Sequence, residues 1–352
     1  MTPCGEKSGD KVTQGSRSVN GHPQGAGSGK RHLIRAAAVV SSMILLGRVL
    51  GLVRDIVSAK QFGTGWQWDA FIYAFMIPNL FRRVVGEGGL TSAFIPVYND
   101  IKTKMGIPEA FRFANITLCL LACGLMVFIV IVQALVGVVL KLGTYSPTIT
   151  LMLELLLVLF PYLWFLSLYA LGMGILNSHG RFFEGSLSSV ILDGVWIAAV
   201  LWVPSFFAGS PVERIRWLTY AILFGGFLHI AVEYPALYRI GFRIRWIWNT
   251  AYEGLRRVWK LLLPVVLSFA VVQINITVDA TLGLALGPGA NSSLWYGNRL
   301  MQFPLGIFAL AMGTALLPMM SQQIAAGQRE ASRRSLSFAL RSIFFITIPS
   351  PV

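Results

Sequence analysis

Apolar and polar positions along this 352-residue chain do not interleave finely; they separate into long blocks. Predominantly apolar stretches run at roughly 34–60, 68–98, 112–140, 149–176, 186–208, 217–240, 258–286 and 291–320, and a ninth begins near 336. Each is long enough to cross the roughly 30 Å apolar core of a bilayer as a helix. Open strands would leave backbone N–H and C=O groups unsatisfied in lipid, so helices are the only expected elements. The pattern predicts an all-α polytopic membrane protein. Its expected organisation is a disordered basic tail over 1–32, a first lobe of six helices over 33–241, a basic linker over 242–257, and helices seven to nine of a second lobe over 258–352. The tail, MTPCGEKSGDKVTQGSRSVNGHPQGAGSGK, is Gly-, Ser- and Lys-rich with no apolar stretch. The block that follows has no cleavage-like end, which argues against a signal peptide.

Charge sharpens this picture. The chain is 55% hydrophobic and 12% charged, far below the roughly 25% charged residues of ordinary soluble domains. A net charge of +14 would suggest nucleic acid in a soluble protein, but here the cations follow the loops. The tail and the loops near 99–112, 177–185, 239–260 and 325–334 hold 19 Lys and Arg, whereas the alternate loops hold 4. That asymmetry predicts a cytoplasmic N-terminus, and it explains the positive charge without a nucleic-acid partner. The stretch 238–260, with Trp246, Trp248 and Trp259 among its cations, reads as an amphipathic segment resting on anionic lipid. Three cysteines (Cys4, Cys119, Cys123) are too few for a disulfide framework or a zinc site.

Five arginines lie inside the apolar blocks: Arg48, Arg54, Arg82, Arg83 and Arg299. A charge at bilayer depth costs at least about 2.5–3.5 kcal/mol, so such residues face a cavity, a partner or a ligand. Guanidinium groups are permanently charged and grip phosphate oxygens in a fork. The blocks therefore predict a cationic internal cavity for an anionic, phosphate-bearing substrate. Structural readings stand beside this one. Arg83 and Glu87 are four apart and could simply pair. Asp55 shares a helix face with Arg48 and could compensate it, while Arg54 lies about 120° away around the helix and is left unexplained. Asp69 sits at a helix entry, where an N-terminal charge role is open to it. Asp279, with Asn275 one turn earlier, could bind a cation or hydrogen-bond across helices. Glu154, Asp193, His229 and Glu233 could pair across helices or lie near the interfaces. Pro78, Pro96, Pro161, Pro264 and Pro304 are expected to kink helices, and Gly86-Glu87-Gly88-Gly89 could be a hinge or a close packing point.

An approximate internal repeat adds a second line. FGTG, an aromatic stretch ending at Pro78 and then GLTSAFIP (62–96) parallel LGPG, LWYGNRLMQFP and MGTALLP (286–318). The copies are six helices apart, an even offset, so both cross the membrane in the same direction. Parallel repeats place a transporter's substrate site at their interface. Arg299 then falls in the segment equivalent to the one carrying Arg82.

LGRVLGLVRD (46–55), FGTGWQWDAFIYAFMIPNLFRRVVGEGGLTSAFIPV (62–97), FPYLWFLSLYALGMGILNS (160–178) and WYGNRLMQFPLG (295–306) together resemble the MurJ (MviN) lipid II flippases. These belong to the multidrug/oligosaccharidyl-lipid/polysaccharide (MOP) exporter superfamily. The resemblance implies movement of lipid II, the undecaprenyl-pyrophosphate-linked peptidoglycan precursor, across the membrane by alternating access, in contact with the cell-wall synthesis machinery. It implies substrate contacts at Arg48, Arg54, Arg82 and Arg299, with Asp55, Asp69 and Glu87 on the family's acidic positions. It also points to Asp279 as a sodium ligand, with no other cofactor. The chain ends at Pro351-Val352 inside the ninth predicted helix, so an incomplete second lobe, and even an inactive remnant, is among the expectations. A membrane enzyme acting on polyprenyl phosphates would need clustered carboxylates for a divalent metal, and no D-x-x-D or adjacent acidic pair occurs. A drug exporter, the rival within the superfamily, would favour an acidic cavity over one with five arginines.

Overall fold

The computed structural model describes residues 26–81, 89–181, 183–206, 209–325 and 328–347. Among these residues every regular element is a helix: α1 (Ala26–Phe62), α2 (Trp66–Phe81), α3 (Thr91–Met105), α4 (Ile107–Leu142), α5 (Pro147–Leu159), α6 (Tyr162–Ser178), α7 (Phe183–Phe206), α8 (Pro211–Arg239), α9 (Glu253–Ala285), α10 (Ala290–Ala325) and α11 (Arg329–Thr347). Four segments are long and apolar enough to cross a membrane by length and composition alone: 107–142, 147–178 (α5 with α6), 211–239 and 253–285. Arginines break the apolar run in α1, and α2 and α3 flank undescribed residues. The chain is therefore a polytopic α-helical membrane protein, with several helices starting earlier than the apolar pattern alone suggested. The helix α1 already runs at Ala26, inside the segment expected to be a tail.

Local chemistry explains where helices begin and end. Ser146 caps α5 by accepting from the Ile149 N–H at 3.4 Å, and Pro147 supplies the first helical residue. Ser210 and Glu213 form a capping box at the start of α8, each side chain satisfying the other's backbone N–H. The break between α5 and α6 falls at Phe160–Pro161, as a proline lacking its N–H dictates. Pro78, Pro96 and Pro264 instead lie inside α2, α3 and α9. The α3–α4 reversal passes through Gly106 at φ 88°, a left-handed conformation that suits glycine.

Two apolar cores organise the bundle. One joins α2, α5, α6, α7 and α8 around Trp68, Phe71, Phe75, Leu159, Leu163, Trp196 and Ile222. The other gathers the far ends of α3, α4, α6 and α8 with the start of α9 around Phe94, Tyr98, Phe113, Ile175, Phe242 and Leu255. The basic loops at 99–112, 177–185 and 239–260 all meet at this second core, so the cation-rich connections share one end of the bundle. Residues 242–249 form an extended strap there rather than a helix. Its Arg243 carbonyl accepts from Asn115 Nδ2 at 3.1 Å, and its Arg245 N–H donates to Asn115 Oδ1 at 2.7 Å. Phe242 is buried beneath it, while Trp246 and Trp248 point outward, 67% and 60% exposed.

Candidate functional site

The helix α1 packs against α7, and at their contact Arg54 is only 6% exposed. Its Nε and Nη2 donate to Asp55 Oδ1 at 3.0 and 2.9 Å, and its Nη1 donates to Asp193 Oδ1 at 2.7 Å. The guanidinium also stacks 4.7 Å above the Trp196 ring. Trp196 in turn donates its indole N–H to Ser58 at 3.0 Å, and Ser58 lies one turn beyond Arg54 on the same face of α1. Edge-on contacts from Phe71 and Phe75 of α2 fix the far side of the indole.

Arg299 of α10 completes the cluster from the other half of the chain. Its Nε lies 3.2 Å from Asp55 Oδ2, and its guanidinium sits 5.0 Å from the Trp295 ring centroid. Asp55 thus uses one oxygen for Arg54 and the other for Arg299. Two guanidinium charges meet two carboxylates, Asp55 and Asp193, so the cluster is locally neutral. Removing any one partner would leave a buried charge uncompensated. The two arginines differ in access: the side chain of Arg299 is 41% exposed and that of Arg54 is 7% exposed.

A second contact between the halves lies at the mouth of α2. Asp69 Oδ2 accepts from the Gly289 N–H at 2.6 Å, and Oδ1 accepts from the Ser292 N–H at 2.7 Å and from the Ser292 hydroxyl. Asp69 therefore serves a helix N-terminus, as its position suggested, but that of α10 rather than its own. One turn along α2, the Tyr73 hydroxyl meets Thr281 Oγ1 of α9 at 3.0 Å.

The sequence-predicted residues divide accordingly. Arg54, Asp55, Asp69 and Arg299 converge on the interface between the two halves. Arg48 is partly buried, and Asp55 compensates Arg54 and Arg299 rather than Arg48. Arg82, Arg83 and Glu87 lie outside the described residues. Asp279 is exposed on α9, and among the described residues no group of three His, Cys, Asp or Glu side chains could hold a metal ion. Asp193 and Trp196 complete the arginine site although neither was singled out for it. Their signal was available: a carboxylate and an indole one turn apart in an apolar helix. Glu154, by contrast, pairs with Arg216 across helices at 2.6 Å, as expected of an interfacial carboxylate.

Outside the spans, the cation-rich end carries its own links. Asp100 of α3 bonds Lys104 and Arg257 at 2.7 and 3.0 Å, and Lys104 foremost, then Arg257, holds its carboxyl below the usual aspartate range. The Tyr252 hydroxyl donates to Glu109 at 3.0 Å, and burial first, then that carboxylate, pushes the phenol up.

Residues 58–352 match the family model described as lipid II flippase MurJ. A lipid II flippase MurJ of Burkholderia cenocepacia is 30% identical over 328 residues, covering 91% of this chain and 63% of its own. A probable lipid II flippase MurJ of Vibrio cholerae is 29% identical over 337 residues, covering 91% and 62%. The chain thus spans a little under two thirds of the length of these relatives. Among solved structures, a lipid II flippase MurJ in an inward closed conformation aligns with TM-score 0.70 and 26% identity over 89% of this chain and 64% of its own. An inward-facing multidrug resistance MATE transporter of the MOP superfamily aligns with TM-score 0.65 at 16% identity over 88% of this chain and 71% of its own, a likeness of fold alone. By its match to the family model over most of its length, this chain belongs to the MurJ family of lipid II flippases.

Proposed function

We propose that this polypeptide carries the head group of lipid II, a lipid-linked pyrophosphate, across the bacterial cytoplasmic membrane by alternating access between its two halves. The observation that carries the reading is the chain of charge from Asp193 through Arg54 and Asp55 to Arg299. A pyrophosphate competes directly with Asp55 for the arginines, because a phosphate oxygen pair accepts the same forked donors as a carboxylate. Arg299 is the more accessible of the two arginines and meets the anion first. Once Asp55 is displaced from Arg299, the tie between α1 and α10 is lost, so substrate binding and parting of the halves become one event. Arg48 and Arg82 belong to the same cationic surface in this reading, with Asp69 and Glu87 as its acidic counterparts. The N-terminus and the basic strap face the cytoplasm, where lipid II is made. Asp279, exposed on α9, is the sodium ligand in this reading.

The test is complementation. The chain is expressed in cells depleted of their own lipid II flippase, beside an Arg54→Ala, Arg299→Ala double variant. Growth with the native chain and its loss with the double variant is the expected outcome. Equal growth with both would remove the arginines from the mechanism. Failure of a membrane-inserted native chain would show that these 352 residues do not suffice for transport.

A further inference from the structure

Away from the arginine cluster, the contact between α6 and α8 holds a carboxyl group with no charge to meet it. Glu233 of α8 is 4% exposed, and its Oε1 has no hydrogen-bond partner. No cation among the described residues forms an ion pair with it. The carboxyl lies flat against Gly172 of α6, where a Cβ would stand 2.5 Å from Oε2 and 2.8 Å from the carboxyl carbon. Only the missing side chain of Gly172 gives the group room, so the site is shaped around it. His229, one turn earlier on α8, is 1% exposed and lies 5.1 Å, centroid to centroid, from the Tyr169 ring of α6. The Tyr169 hydroxyl donates to the Glu184 carbonyl of α7 at 3.2 Å. Among the described residues the titratable groups around Glu233 are Glu184 of α7, whose charge acts on it, and His229 one turn earlier on its own helix, beside Tyr169 of α6.

A carboxylate in such a place would be desolvated with no compensating cation, whereas a carboxylic acid is neutral and keeps one donor and one acceptor. We propose that Glu233 is a proton-binding site, separate from the arginine cluster, which holds its proton while α6 and α8 are packed as they are here. Release requires water or a cation to reach Oε1, hence a shift of α8 against Gly172. Proton binding at Glu233 stands independently of which anion the arginines take.

The experiment is infrared spectroscopy on the purified full chain across a pH series, comparing native protein with Glu233→Gln. Carboxyl-13C glutamate in the native chain separates glutamate bands from those of Asp55, Asp69 and Asp193 without any substitution. A protonated glutamate C=O band at pH 7, shifted by the label and absent from the Gln variant, is the expected result. Should the Gln variant fail to fold, the labelled native chain decides alone: no shifted band at pH 7 overturns the proposal. Thermal unfolding gives an independent reading. Unfolded glutamate gives up its proton near pH 4.3 or so, roughly the model-peptide value, while folded Glu233 keeps it to higher pH. The native chain then binds more protons than the unfolded one, and its melting temperature falls as pH rises above that value. The Gln variant lacks this part of the slope; identical slopes in the two proteins would count against the site.

Discussion

At the scale of single residues, Asp55 serves two cations at once. It neutralises Arg54 within α1 and reaches Arg299 on α10, while Asp193 makes its ion pair with Arg54. Breaking a buried ion pair by removing one partner costs about 3–5 kcal/mol, because the remaining charge stays buried. Asp193→Asn is expected to destabilise the protein by that amount, and Asp55→Asn by more, in denaturant titrations of the detergent-solubilised chain. Equal and negligible losses would mean that water already solvates the cluster. The sequence exposed the arginines readily, since a charge inside an apolar block stands out. It concealed their partners, because pairing across 139 residues depends on how α1 meets α7, and a helix surface pattern does not encode its neighbour. The same blindness led to Arg48 as the natural partner of Asp55: seven residues put both on one face, but a helix face is shared with other helices too.

Among elements, the strap over 242–249 shows what composition alone could not resolve. Arginines and tryptophans on an apolar background read as an amphipathic segment, but the backbone here forms no helix and is tied by the Asn115 side chain. Each hydrogen bond lost with a buried partner left behind costs about 1–3 kcal/mol. Asn115→Ala should therefore loosen the strap locally, and amide exchange at Arg245 is predicted to accelerate while exchange in α5 and α6 stays unchanged. Acceleration spread over the whole bundle would assign Asn115 to global stability instead. Helix ends carry more local information than the strap, although the apolar blocks alone placed several starts too late. Ser146-Pro147, Ser210-Pro211 with Glu213, and Pro161 each carry a local chemical signal that tertiary contacts did not override. The start of α1 was missed because a Gly- and Ser-rich sequence offers no apolar face by which to recognise a helix.

For the molecule as a whole, the two halves are tied at several depths: Asp69 to the start of α10, Tyr73 to Thr281, and Asp55 to Arg299. Asn291, beside the Asp69 contact, is 4% exposed and can report on it. In a background without the native cysteines, Asn291→Cys should resist a membrane-impermeant maleimide, and adding Asp69→Ala should raise the labelling rate several-fold. An unchanged rate would show that Asp69 does not hold this end shut. The two glycine turns of the approximate repeat were legible beforehand, and the structure brings them together at Thr64 and Gly289. Which atoms would join them was not, because Asp69 acts through backbone N–H groups that carry no residue signature.

The repeated glycine turns bear on mechanics. Gly289, at φ 90°, lies against Thr64 of the first copy, where a Cβ would come within 2.8 Å of the Thr64 carbonyl oxygen. The Gly289 backbone approaches the Thr64 backbone closely there, which makes the spot a bearing rather than a cushion. From it α10 extends 36 residues, about 54 Å at 1.5 Å per residue. Each degree of tilt about that bearing sweeps the far end of the helix through roughly 1 Å. A rotation of a few degrees about that turn would thus become a displacement of several ångströms at the opposite face.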